Sequence, residues 1–214
     1  IINACKGESS SKKSLNLSAR EIYTNLPDNI SFECATIDYT KKNLNLIIYP
    51  TIILYASEES YLPFFEDSLF IKQLYDFVYN GGNLLITGSE FGWFLGRPES
   101  SEKLNKIYKN FFKSKYVTDN SNCHTISGLK ETKYEGIKFS FGTENSIFST
   151  KSSDVITPLS DAEPIFKYDN GGNAGISALL GKGKIIYLSF PIETINEKNV
   201  KADLLKRIFD YFTN

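Results

Sequence analysis

The sequence predicts a three-layer α/β fold, with a mostly parallel sheet, helices on both of its faces and an antiparallel hairpin extension near the C-terminus. Two patterns carry this prediction. In residues 1–112, apolar runs typical of buried strands alternate with apolar stripes at helical spacing. In residues 137–190, short strand patterns follow one another across turns rich in Gly and Asn. The chain has 214 residues, 41% of them apolar, which is enough for a single well-packed domain. We expect residues 1–214 to be one domain of a longer protein.

The first half begins with a helix signal. Ser18 and Glu21 have the spacing of a capping box, which predicts a helix from Ala19 to Leu26 that ends before Pro27. The segments predicted after it are a strand at 30–34, a buried strand at 46–55 that is interrupted at a proline, a helix at 70–79, a strand at 83–87 and a helix at 104–112.

The second half is dominated by strand patterns. Strands are predicted at 137–141, 164–168, 174–180 and 185–190, and a closing amphipathic helix at 200–212. The turns at 169–173 and 181–184 have the Gly and Asn content of tight hairpins, so the last three strands should pair antiparallel.

Composition argues against several functional classes. The 24 basic and 25 acidic side chains leave a net charge of −1, which gives no excess of positive charge for nucleic acid. The longest nearly apolar stretch is too short to span a membrane. A single His, no Cys-x-x-Cys pair and no phosphate-binding loop give no support for a metal or a cofactor, and we predict neither.

The first five residues leave two alternatives open. The segment Ile1–Cys5, followed by polar residues, is similar to the end of a bacterial lipoprotein signal with a lipidated cysteine. In that case Cys5 is a lipid anchor and the protein is extracytoplasmic, in the periplasm or at the cell surface. The same residues also have the pattern of a short buried strand, which leaves a cytoplasmic location open.

The most informative segment is the turn after the strand at 83–87. Gly88 and Gly92 lie two residues on either side of Glu90, a spacing that permits the sharp turn with which hydrolases and amidotransferases present a nucleophile. Ligands of α/β sheets gather at the carboxyl ends of strands, so this turn is the predicted site.

This segment resembles the class I glutamine amidotransferase-like superfamily, and specifically its divergent bacterial domains. The blocks that carry the resemblance are residues 77–88 and residues 183–193, the second of which is followed by the terminal helix. The resemblance implies a flavodoxin-like sheet. It also implies a cysteine at the turn and a histidine near the second block, and this chain has Glu90 in the first position and no histidine in the second. A carboxylate cannot replace a thiolate in releasing ammonia from glutamine, so we do not expect glutamine hydrolysis by the mechanism of that superfamily.

His124 does not restore a catalytic site. It follows Cys123 directly in a polar connecting stretch, where adjacent residues rarely face each other for proton transfer. A nucleophilic Ser89 would need a base within hydrogen-bond reach, and the sequence offers no other histidine.

Three functional hypotheses remain. The first is a non-catalytic binding or interaction domain of a larger bacterial protein of the envelope or of a secreted kind. The second is a hydrolase, on carbohydrate by analogy with paired carboxylates, that uses Glu90 and Glu193. The third is a purely structural domain that packs against its neighbours. The predicted binding residues are Gly88, Ser89, Glu90, Phe91, Trp93 and Tyr49, and the catalytic candidates are Glu90, Glu193 and Ser89.

Overall fold

The computed structural model describes residues 1–5, 11–159 and 161–214. Within these ranges the chain forms eleven strands and six α-helices. The strands are β1 (Ile2–Asn3), β2 (Ala35–Thr36), β3 (Thr51–Ser57), β4 (Asn83–Gly88), β5 (Ser114–Thr118), β6 (Thr125–Gly128), β7 (Lys138–Ser140), β8 (Val155–Pro158), β9 (Ala162–Tyr168), β10 (Asn173–Leu180) and β11 (Gly183–Leu188). The helices are α1 (Ser11–Tyr23), α2 (Ile37–Asn43), α3 (Ser68–Tyr79), α4 (Phe91–Gly96), α5 (Glu102–Asn110) and α6 (Lys198–Thr213).

All the strands belong to one mixed sheet. Its main path runs β2-β1-β3-β4-β11-β10-β9-β6-β7, while β8 pairs with β10 and β5 with β8. In the described part of the chain, four strand pairings are parallel and six are antiparallel. The parallel strands β1, β3, β4 and β11 place their carboxyl ends at one edge of the sheet.

The predicted flavodoxin-like, mostly parallel three-layer fold is therefore wrong. Antiparallel strands do not form a terminal extension but the larger part of the sheet, because β5, β6 and β8 add to those predicted. These three strands are only four or five residues long. In β6 only Ile126 is buried, so the strand carries almost no apolar pattern. Such strands are held by their neighbours in the sheet, which a sequence pattern does not reveal.

The core lies on both faces of the sheet. Along β4, Leu84 and Ile86 pack into one apolar cluster and Leu85 into the other, as the alternation of strand side chains requires. Helices α3 and α5 contribute Leu74 and Leu104, among others, to the first cluster, whereas α1 and α6 contribute to the second.

Several predicted segments agree with the structure and three differ. Helices α3, α5 and α6 and strands β4, β9, β10 and β11 occur where the patterns predicted them. Helix α1 starts at Ser11, so Ser18 is a buried residue in the helix interior and not its cap. No strand occurs at 30–34, where Phe32 is 45% exposed. The run that begins at Leu46 opens with a 3₁₀ turn, and β3 begins only after Pro50.

The polar segment after Cys5, residues 6–10, lies outside the described residues. The preceding residues Ile2–Asn3 form β1, which pairs in parallel with both β2 and β3. None of the helices in the described ranges has both the length and the apolar character that crossing a membrane would need.

Candidate functional site

The predicted turn lies at the carboxyl edge of β3 and β4. Gly88 has φ +157°, and a Cβ there would lie 2.9 Å from the Phe91 ring and 3.2 Å from the Ser57 carbonyl oxygen. Ser89 is buried, donates its backbone N–H to the same carbonyl at 2.9 Å, and directs its hydroxyl to it at 3.4 Å. Ser89 is therefore occupied in holding the two strand ends together. Glu90 has φ −117° and ψ 11°, so the residue at the centre of the turn is not strained.

Glu90 is a buried acid at this edge whose pKa is raised. Its side chain is 8% exposed, and it makes no capping hydrogen bond to α4. Burial, followed by the nearby charges of Asp119 and Glu58, raises the pKa of Glu90 from 4.5 to about 7. Glu58 follows β3 and accepts a hydrogen bond from the backbone N–H of Lys151. The turn thus carries a carboxyl group that changes its charge near neutral pH.

Asp154 is a second buried acid behind the turn. Its carboxylate accepts hydrogen bonds from the backbone N–H groups of Gly92, at 2.6 Å, and of Trp93, at 3.1 Å. Burial and the neighbouring Glu90 charge raise the pKa of Asp154, although these hydrogen bonds oppose the shift. A Cβ on Gly92 would lie 2.9 Å from the carboxylate, so a glycine is required for this close approach. Asp154 anchors the start of α4.

The aromatic residues after the turn divide into core and surface. Phe91 is fully buried and packs against Phe65, Phe112 and Tyr187. It belongs to the core and not to a ligand surface, which corrects its prediction as a binding residue. Trp93 is partly exposed, and the guanidinium of Arg97 stacks on its ring at 3.5 Å from the centroid.

Arg97 is held beside Tyr116 by close packing at the end of α4. A Cβ on Gly96 would lie 2.5 Å from the Tyr108 ring and 2.9 Å from the Tyr116 Cβ, so α4 lies directly against α5 and β5. Burial and the charge of Asp154 raise the pKa of Tyr116 to about 12; the charges of Asp119, Glu90 and Arg97 also act on it.

Two buried polar atoms in this group have no partner. They are Nε of Arg97 and Oδ1 of Asp119, the residue that follows β5. Neither residue forms an ion pair within the described ranges. Buried donors and acceptors are nearly always paired in folded proteins, so an unused donor and an unused acceptor at one edge call for an explanation.

Glu193 lies in a different group of residues. It has no solvent exposure, and its Oε1 accepts a hydrogen bond from the Ser57 hydroxyl at 2.5 Å, while Oε2 has no partner. Burial raises the pKa of Glu193, opposed by the Ser57 hydrogen bond and the charge of Lys201. Lys201, itself buried, donates to the Glu193 carbonyl at 2.9 Å and pairs with Glu21 at 2.7 Å.

The predicted site residues have different surroundings, although Ser57 contacts two of them: its carbonyl accepts from the Ser89 N–H and its hydroxyl donates to Glu193. The groups that shift the pKa of Glu90 and those that shift the pKa of Glu193 have no member in common. Tyr49 precedes β3, whereas Glu90 follows the parallel strand β4, so they lie at opposite edges of the sheet, about 20 Å apart at ~3.3 Å per residue. Tyr49 is therefore not part of this site, and its hydroxyl donates to Glu33. His124 is bonded through Nδ1 to the Phe141 carbonyl at 3.1 Å.

Sequence reasoning missed Asp119, Asp154 and Arg97. The two aspartates lie in polar connecting segments, where a carboxylate is ordinary and no spacing singles it out. Arg97 carried a usable signal, since it lies four residues after Trp93 and such pairs share a helix face. Among the residues that the structure describes, no three His, Cys, Asp or Glu side chains are arranged to hold a metal ion.

No known protein-family model matches the chain, and no curated protein matches its sequence. Its fold is similar to several solved structures. Gan42B, a GH42 β-galactosidase from G. stearothermophilus, matches with a TM-score of 0.61 and 14% identity over 99% of this chain and 30% of that chain. A cytoplasmic protein from Salmonella typhimurium matches with a TM-score of 0.63 and 12% identity, over 98% of this chain and 96% of that protein. The mmIFT52 N-terminal domain matches with a TM-score of 0.57 and 12% identity, over 100% of this chain and 96% of that domain.

At these identities the likeness concerns the fold alone. The chain spans less than a third of the length of the galactosidase. The class defined by the fold is a mixed-sheet domain that occurs both within a glycoside hydrolase and as nearly the whole of a smaller chain. None of these three structures is described as an amidotransferase.

Proposed function

We propose that this chain is a non-catalytic binding domain whose ligand site is the edge formed by the turn after β4. The observation that carries the proposal is the burial of Glu193, which has no solvent exposure and has Ser57 on one of its oxygens. Hydrolysis by paired carboxylates requires both groups to reach the same bond and its attacking water. Glu193, buried and bonded to Ser57, is therefore not available as the second carboxylate that the hydrolase hypothesis assigns to it.

The structure gives no support for Ser89 as a catalytic nucleophile either. Ser89 has no solvent exposure, and its hydroxyl is directed at the Ser57 carbonyl. A serine nucleophile needs a base within hydrogen-bond reach, whereas His124 bonds to the backbone of Phe141.

Binding, and not only packing, is supported by the unused polar atoms at this edge. Arg97 Nε and Asp119 Oδ1 are buried without partners, the Arg97 guanidinium stacks on Trp93, and the 53% exposed Tyr61 packs against Phe94. An unpaired buried donor and an unpaired buried acceptor each cost stability, so a ligand that pairs with both recovers that cost.

The proposal includes the relation to the class I glutamine amidotransferase-like superfamily that residues 77–88 and 183–193 predict. The chain would be a member that lacks the catalytic cysteine and histidine. It also includes a place in a larger bacterial protein, which is extracytoplasmic if Cys5 is a lipid anchor. At Cys5 two alternatives stand, a lipid anchor and a residue of the fold. The pairing of Ile2–Asn3 with β3 and the burial that raises the pKa of Cys5 to about 12 favour the second. An intact mass of the native protein distinguishes the two alternatives.

Catalysis is tested by incubating the chain with chromogenic galactosides and with glutamine. We expect no release of chromophore or ammonia above a protein-free control, and no difference between the wild type, Glu90→Gln and Glu193→Gln. Turnover that Glu90→Gln abolishes while circular dichroism and thermal melting stay unchanged would overturn the proposal.

Binding is tested with the fluorescence of Trp93, which is the single tryptophan of the chain. We expect at least one class of small polar compound to change its emission in a saturable manner. Arg20→Lys, an exposed substitution on α1, is the matched control for changes at Arg97.

A further inference from the structure

We propose that the outer face of helix α3 is the contact surface of a dimer, in which α3 packs antiparallel against α3 of a second copy of this chain. The surface is a stripe of four residues, Leu69, Lys72, Asp76 and Tyr79, which are three, four and three positions apart. In a helix with 3.6 residues per turn, this spacing places all four on one face. The buried residues of α3 lie on the opposite face, so the α3 stripe points away from the core.

The two ends of the α3 stripe are large apolar side chains exposed to solvent. Leu69 is 68% exposed and Tyr79 is 53% exposed. The Tyr79 ring stacks on the Tyr75 ring at 5.9 Å between centroids, which holds it in position. A single exposed apolar residue is ordinary. Two of them at the ends of one stripe, about 15 Å apart at ~1.5 Å per residue, offer an apolar contact at each end of a second helix.

The α3 stripe is complementary to itself. A two-fold axis level with Leu74 brings position 72 of one copy opposite position 76 of the other, and position 69 opposite position 79. Lys72 of each copy then faces Asp76 of the other. In the same arrangement Leu69 faces Tyr79. Within one chain Lys72 already forms an ion pair with Asp76, so two copies make a network of four alternating charges, and networks contribute more than isolated exposed pairs.

A groove beside the α3 stripe gives the second helix room to pack. It lies between α3 and α5, has a volume of about 740 Å³, and has Ile71, Tyr75 and Ile107 among its lining residues. The side-chain ridge of one helix packs into a groove of this kind on another.

The size of this face predicts a weak dimer. Helix α3 has 12 residues, so it is about 18 Å long, and two helices about 10 Å apart make a face of roughly 400 Å² on each copy. Standard interfaces bury about 800 Å² on each partner, so we expect a dissociation constant in the micromolar range. The net charge of −1 adds little repulsion between two copies.

The test measures the mass of the full chain by sedimentation equilibrium from low to high micromolar concentration. We expect the wild type to change from monomer to dimer across this range. Lys72→Asp places Asp opposite Asp, and Asp76→Lys places Lys opposite Lys, so each variant alone should weaken the dimer at least tenfold. An equimolar mixture of the two variants restores both contacts between opposite charges, and so does the double variant. Both should therefore dimerise as the wild type does.

The matched control is the ion pair of Lys206 and Asp210 on α6, which has the same residue types, the same spacing and similar exposure. Lys206→Asp and Asp210→Lys should leave the dimer unchanged, and thermal melting establishes that every variant is folded. A wild type that stays monomeric at all concentrations would overturn the proposal. A dimer that both single α3 variants leave intact, that their mixture fails to restore, or that the α6 variants weaken equally would also overturn it, because the copies would then associate through another surface.

Discussion

Replacing Glu90 by Gln should stabilise the folded protein at alkaline pH and leave it unchanged in acid. The pKa of Glu90 is raised from 4.5 to about 7, chiefly because the side chain is buried and next because Asp119 and Glu58 are near. At ~1.4 kcal/mol per pKa unit, ionising this carboxyl in the folded state costs about 3 kcal/mol. The remaining exposure of the side chain lowers the expected effect to about 2 kcal/mol.

The sign follows from proton binding. The folded pKa lies above the unfolded one, so between pH 4.5 and about 7 the folded protein binds more protons than the unfolded chain. The free energy of unfolding contributed by Glu90 is therefore fully present below pH 4.5 and falls as the pH rises through the folded pKa of about 7. Gln cannot ionise and has nearly the same shape, so the variant lacks this fall. The substitution also removes one of the charges that raise the pKa of Asp154, which acts in the same direction.

Urea unfolding from about pH 4 to about pH 8 gives the free energy of unfolding of the wild type and of Glu90→Gln at each pH. We expect the two curves to meet in acid and to separate by about 2 kcal/mol in alkali, with the variant more stable. Glu99→Gln, at an exposed position just after α4, is the control and should follow the wild type within about 0.5 kcal/mol. Parallel curves, or a variant that is less stable at alkaline pH, would refute the reasoning.

The remaining predictions concern Gly92 and Ser57, two residues whose packing and hydrogen bonds stabilise the turn after β4. Gly92→Ala should lower the free energy of unfolding by about 1–3 kcal/mol, because a Cβ would lie 2.8 Å from the Tyr108 hydroxyl and 2.9 Å from Asp154; unchanged urea unfolding would contradict this close packing. Ser57→Ala should cost about 1–2 kcal/mol, since it removes the donor to buried Glu193. Ser57→Gly should cost about 1 kcal/mol less than the alanine, because Ser57 has φ +49° and glycine adopts this conformation without strain. Equal losses in the two Ser57 variants would argue against strain at this position.

The parts of the fold that could be predicted are those with long apolar patterns and clear ends. Helix α3 has a buried stripe and ends at Asn80, and the hairpin from β10 to β11 has its turn residues in the sequence. The antiparallel majority of the sheet could not be predicted. Strand β5 is mostly exposed and is fixed by pairing with β8, and such a long-range contact leaves no periodic pattern in either segment.

The turn after β4 was predictable from the sequence, but the side chains around it were not. The Gly88-x-x-x-Gly92 spacing located the turn, because glycine is needed where the backbone has a positive φ or approaches its neighbours closely. Asp119 and Asp154 lie 29 and 64 residues after Glu90 in the sequence, so only the tertiary structure brings them near it. The pairing of Glu90 with Glu193 was inferred from the ends of neighbouring strands, but the side chains found different partners.

The buried glutamates Glu90 and Glu193 have different surroundings, and this difference indicates which of them belongs to a binding site. Around Glu193, Ser57 donates to the carboxyl group and Lys201 adds an opposite charge, so its partners reduce the cost of burial. The charges beside Glu90 are instead like charges, and the Arg97 guanidinium stacks on the Trp93 ring and forms an ion pair with no carboxylate in the described chain. Selection for stability alone would pair Arg97 with one of these acids. Perturbed acids beside an unused cation are typical of sites kept for a ligand, which is why the edge at Glu90, and not the better-paired Glu193, is where binding should be sought.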